Sequence, residues 1–147
     1  MFKMVLSVIV ISLSTSVIAE GIEPETVIEN TISLLIAKKT NEAFDYAISS
    51  NKFFADKKAD VDRTKLQFIS FIQQVGSPTN CEKLASKTLI QRIRKDIYIC
   101  LSEMQPFEIH FRFYKQEKFW VVQSFSYSSD TDELLDSSIE MQISNSK

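Results

Sequence analysis

The sequence predicts an α+β fold in which N-terminal helices pack on a curved antiparallel β-sheet, and three observations predict it. Apolar residues recur at helical spacing between Pro24 and Val75, the pattern of helices that turn one side to a core. From Ile97 onward the apolar period falls to two residues, the period of half-buried strands. Between the two regimes stand Gly76 and Pro78, a pair that stops a helix. Helices first and strands afterwards make an α+β arrangement rather than alternating βαβ units.

The first element is an export signal. Lys3 precedes an apolar run from Met4 to Ile18, and Val17 and Ala19 supply the small residues that a signal peptidase reads, so Glu20 becomes the first mature residue. This places the mature chain in the periplasm or outside the cell. Read instead as an uncleaved anchor, the run is broken by Ser7, Ser12, Ser14, Thr15 and Ser16 and is shorter than the ~20 residues of a spanning helix. No cysteine follows Ala19 to carry a lipid, and no later apolar stretch is long enough to span a membrane. Residues 20–147 form a single domain with one core, with a flexible tail from about residue 137.

Three helices follow. In the first, from Pro24, the residues Val27, Ile28, Ile32, Leu35 and Ile36 line one face, with the proline at a permitted first-turn position and Lys38 and Lys39 at the negative end. Thr40 is expected to cap a second helix that turns Ala43, Phe44, Ala47 and Ile48 inward and stops at Ser49, Ser50 and Asn51. Phe53 and Phe54 then anchor the connection to the core. The third helix is expected from about Asp62 to Val75, capped by Asp60 or Asp62, with Leu66, Phe68, Ile69, Ile72 and Val75 inward.

The strands come next. Ile97, Ile99 and Leu101 face one way and Tyr98, Cys100 and Ser102 the other. Phe107, Ile109, Phe111 and Phe113 alternate with Glu108, His110, Arg112 and Tyr114, as in an antiparallel strand covered on one side. After a polar turn at 115–118, a last strand holds Trp120 and Val122 at one parity and Phe125 and Tyr127 at the other. A bulge near Gln123 and Ser124 puts all four on the core face. Cys81 and Cys100 would pair in an oxidising compartment. A hairpin turning at Arg92 and Ile93, however, sets Cys100 opposite Ala85 and leaves Cys81 out of reach. A different register or two buried thiols are the alternatives.

Composition removes several functions. Removing Lys3 leaves 16 basic side chains against 19 acidic ones, a balance that gives nucleic acid no basic face. The short run Arg92, Arg94, Lys95 ends at Asp96 and reads as a solvated turn. With glycine only at Gly21 and Gly76, neither a phosphate-cradling loop nor a dinucleotide fingerprint nor a nucleophile elbow can be built. His110 is the lone histidine, so no zinc motif exists and neither a metal nor a cofactor is expected.

The run Phe111, Arg112, Phe113, Tyr114, Lys115, then Phe119, Trp120, Val121, Val122, then Phe125, Ser126, Tyr127, closed by the acidic, leucine-bearing segment Asp130 to Leu135, resembles the nuclear-transport-factor-2-like, or cystatin-like, superfamily. Within it, the chain is similar to small exported bacterial proteins of uncharacterised function. The resemblance implies a cone with a cavity between helices and sheet. It also implies a choice among ketosteroid-isomerase-like enzymes, polyketide cyclases, dimerisation modules and ligand binders, which fold alone does not make.

The candidate chemistry is sparse. Phe44, Phe107, Phe111, Phe113, Trp120, Phe125 and Tyr127 are the candidate lining of an apolar ligand pocket, or simply core. Glu108, His110, Arg112 and Tyr114 form a polar row that points away from that interior, a candidate surface for a second copy or an envelope protein partner. The leading functional reading is therefore a noncatalytic exported domain that binds a small apolar ligand or a protein. The alternatives are a cofactor-independent isomerase or cyclase using interior groups such as Asp45, Tyr46, Asp56, Tyr98 and Tyr127, and a secreted inhibitor or immunity-type protein acting through an exposed loop at Ser77 to Glu82.

Overall fold

Pro24 opens the first helix because its fixed φ suits the first turn and its missing N–H has no partner to lose there. A computed structural model describes residues 22–136. The segment expected to be a signal, the cleavage expected between Ala19 and Glu20, and the tail expected from about residue 137 lie outside the described residues. Helix α1 spans Pro24–Ile36 and buries Val27, Ile28 and Leu35. Thr31 shares that buried stripe, and its hydroxyl donates to the Val27 carbonyl at 2.7 Å, which satisfies the polar group locally. Ile32 is partly buried, and Ile36 at the frayed end is 40% exposed.

Helix α2, Thr40–Ile48, begins at Thr40 rather than after it. Lys38 takes a left-handed φ of 61°, the chain turns within two residues, and the Ala43 N–H already bonds the Lys39 carbonyl at 2.9 Å. The cap position therefore falls on Lys39, without a side-chain cap. Helix α3, Lys58–Val75, starts four residues earlier than expected, running on directly from a 3-10 helix at Lys52–Lys57. Asp60 and Asp62 do not cap it; they lie inside its first turns, paired with Arg63 and Lys58 at 2.7 Å each. Phe68, Ile72 and Val75 are buried, whereas Leu66 is 69% exposed, because two residues of helix rotate it about 200° from Phe68. At Gly76 a φ of 87° ends the helix.

Four strands follow, β1 Pro78–Leu89, β2 Ile93–Ser102, β3 Phe107–Gln116 and β4 Phe119–Ser128. They form one open antiparallel meander in the order β1-β2-β3-β4. On the helix side, Phe107, Ile109, Phe111 and Phe113 are at most 1% exposed. In β4 the pairing steps from Arg112↔Ser124 to Phe113↔Val122, so Gln123 is the bulged residue and Trp120, Val122, Phe125 and Tyr127 all turn inward, as the parity change requires. Phe68 sits among these rings, 5.8 Å from Phe44, 5.1 Å from Phe125 and 5.0 Å from Tyr127. The domain is α+β, with helices covering one face of the sheet.

The β1–β2 hairpin corrects the expected register. Its turn is Ile90–Arg92, closed by the Arg92 N–H on the Leu89 carbonyl at 3.0 Å, and not Arg92–Ile93. A shift between Lys83 and Ala85 moves the pairing once more, and Cys81 then faces Cys100. The two are joined as a disulfide with Cα atoms 4.0 Å apart. Two further readings change with it. Arg94 and Asp96 are strand residues, not a solvated turn, and Asp96 is fully buried. Ser77 to Glu82 is no free loop, since β1 starts at Pro78 and pairs with β2 from there.

Candidate functional site

The site is built where the chain leaves α2. Strand β4 is an edge strand, so the outward N–H and C=O of Val122 need partners. The Ser50 hydroxyl accepts the Val122 N–H at 2.9 Å, and the Asn51 amide donates to the Val122 carbonyl at 2.8 Å. Asn51 Oδ1 also accepts the Phe53 N–H at 3.0 Å, starting the 3-10 helix. The two bonds to Val122 clasp the turn to β4 beside the Gln123 bulge. The turn projects two aromatic rings, Phe53 and Phe54, with centroids 6.4 Å apart.

Phe53 and Phe54 do not anchor the connection to the core. Phe53 is 58% exposed, and both rings form one wall of a cleft of about 240 Å³ between α2, α3 and β4. Phe44, Ile48, Val61 and Phe125 form the remaining apolar lining, while Lys57, Asp60, Thr64, Gln123 and Ser124 supply the polar rim. The Lys57 ammonium stands 5.2 Å from the Phe53 ring centre, a cation–π contact. Asp60 is held by Arg63. Lys57 enters no ion pair among the described residues, so it is the uncompensated charge at the mouth.

Of the aromatic residues the sequence put forward, Phe44 and Phe125 reach this cleft. Phe107, Phe111 and Phe113 are fully buried among other side chains, and Trp120 and Tyr127 pack against that core. The polar row on β3 points away from the helices, but it is not uniform. Glu108 is only 5% exposed and meets His110 Nε2 at 2.5 Å. Arg112 is exposed, and Tyr114 lies under the Arg92 guanidinium at 5.5 Å.

The interior groups weighed for acid–base work are not brought together. Asp45 is exposed and pairs with Lys65 at 2.7 Å, Asp56 is exposed, and the Tyr46 hydroxyl accepts from Asn30. The carboxylate on the inner sheet face is Asp96, which sequence reasoning missed. It accepts two hydrogen bonds from Arg94, at 2.7 and 3.0 Å, with the Lys83 ammonium 4.0 Å away. Arg94 also reaches Glu25 at the start of α1, at 2.5 Å. The hydrogen bonds that Arg94 donates to Asp96, and the charge of both carboxylates, hold the guanidinium above its ordinary pKa against the effect of burial. Burial alone would raise Glu25, but Arg94 outweighs it and holds that carboxyl below its usual range. Through Arg94, which reaches both Asp96 and Glu25, the Asp96 carboxylate ties α1 to the sheet.

In comparisons with family models, with curated proteins and with solved structures, nothing matches this chain. Among the described residues, no helix is long and apolar enough to cross a membrane. The disulfide fits an oxidising compartment.

Proposed function

We propose that this protein is an exported, noncatalytic binding domain whose cleft beside the 3-10 helix takes a small apolar ligand or one apolar group of an envelope partner. The observation that carries the reading is the pair Phe53 and Phe54, held out from the core by hydrogen bonds to β4 over an apolar floor of Phe44, Val61 and Phe125. A ring as exposed as Phe53, beside the half-buried Phe54 on a pinned turn, is costly to the fold alone and useful to a ligand, since it can bury further apolar area on binding. The volume of about 240 Å³ falls below the ~300–1,000 Å³ of sites that enclose a drug-sized molecule. That favours a single ring or short branched chain, with Lys57 favouring a ligand that is anionic at one end. Export through the N-terminal signal and membership of the nuclear-transport-factor-2-like cone are parts of the same proposal, supported by the leader pattern, the disulfide and the order of helices before an antiparallel meander.

Titration with the apolar fluorophore anilinonaphthalene sulfonate tests it. Wild type is expected to bind one probe, Phe53→Ser to bind it about fivefold more weakly, and Thr64→Trp, which roofs the cleft, to lose it. Both changes lie at exposed positions, so the melting temperature should hold. Wild-type probe affinity in both variants would refute the cleft as the site.

A further inference from the structure

The sheet face opposite the helices carries a charge pattern that the overall composition hides. The register sets Lys87 beside Lys95 and Lys95 beside Arg112, a row of three cations across three strands. None of the three forms an ion pair among the described residues, and a shallow depression of about 390 Å³ runs between them, bounded toward the hairpin tip by Leu89 and Ile93. Like charges directly opposite one another on a sheet are destabilising. At the two turns beyond this row, Arg92 and Lys118 add positive charge against Glu117 alone. The chain as a whole is nonetheless at −2, so this row departs in sign from the whole.

The same end of the sheet exposes apolar side chains. Ile90 is 80% exposed, Leu89 52% and Phe119 43%. Ile90 also sits at a φ of 45°, where a β-branched residue is strained and glycine or asparagine is the ordinary choice. The hairpin tip therefore keeps a residue that is wrong for the turn and wrong for water. The basic row stands one outward-facing position behind Leu89 and Ile93, about 7 Å along the strands.

We propose that this end of the sheet docks on an anionic lipid bilayer, with Leu89, Ile90 and Phe119 entering the interface and Lys87, Lys95 and Arg112 meeting the headgroup phosphates. Apolar tips backed by cations at headgroup depth are what an interfacial contact needs. A polyanion such as nucleic acid would use the cations and leave the strained isoleucine without purpose.

The test is sedimentation of the mature chain from Glu20 with phosphatidylcholine vesicles, with and without about a third of phosphatidylglycerol, at low and high salt. Binding is expected only to the anionic vesicles and is expected to weaken with salt. Lys95→Glu places a carboxylate between Lys87 and Arg112, and Ile90→Asn relaxes the turn. Each variant should melt no lower than wild type yet bind at least about tenfold more weakly. No vesicle binding, equal binding to neutral vesicles, or undiminished binding by either variant would overturn the proposal. So would binding of duplex DNA that is lost in Lys95→Glu but kept in Ile90→Asn.

Discussion

Asp96 is the residue on which the inner sheet face turns. A carboxylate at 0% exposure is tolerated because Arg94 donates to both of its oxygens, and removing one partner of such a pair strands the other. Asp96→Ala is therefore expected to lower the free energy of unfolding by about 3 kcal/mol, as urea denaturation would measure; a loss near zero would mean that Glu25 alone can hold Arg94. Two tyrosines set the alkaline limit. Burial raises the Tyr98 hydroxyl above its ordinary 10.0, with Lys83 opposing, and burial does the same at Tyr127. A raised value in the folded state means that the unfolded chain releases its proton first. The stability contribution is thus complete below about pH 10 and is lost as pH rises through the folded values. Melting temperatures followed from neutral pH to above 10 should fall along this limb, and more gently in Tyr98→Phe and Tyr127→Phe; identical slopes in the variants would assign the limb to other groups.

The β1–β2 hairpin shows what an element can conceal. Its disulfide closes a separation of 19 residues, and loss of it in a Cys81→Ser, Cys100→Ser double variant is expected to cost about 3 kcal/mol in the chain-entropy treatment, read from the shift of the denaturation midpoint. Strand β3 was legible because one side is fully covered and alternation follows from that. The β4 bulge was legible because four aromatic and aliphatic residues changed parity at one point. Strand β1 was not, since only Pro78 in it is buried and an edge strand open to water imposes no period. The cysteine register failed for a related reason: Ile90 and Gln91 bend the chain through left-handed φ values without the glycine or asparagine by which such a turn is recognised. At the cleft, Phe44 and Phe125 could be named from their patterns. Phe53 and Phe54 were misplaced because the clasp of Ser50 and Asn51 on Val122 joins positions about 70 apart and reads locally as a helix stop.

Across the whole molecule, arrangement departs most from composition. Lys87, Lys95 and Arg112 are separated in the chain by residues of every kind, and only the pairing of three strands makes them neighbours. The near balance of charge read from the sequence is correct as a sum and uninformative about faces. The cleft and the basic row also occupy different parts of the fold, the first against the helices and β4, the second on the sheet face opposite the helices, so occupancy of one need not obstruct the other. The tie between Cys81 and Cys100 has a topological consequence for such a surface. Every bond of the hairpin tip lies inside the loop that it closes, including those after Lys87, Arg92 and Lys95 where a trypsin-like protease would cut. A cut there opens the backbone but separates nothing: both fragments remain one covalent molecule, with their strands still in register and the core intact. The integrity of the domain thus does not rest on the chain's continuity at this exposed tip.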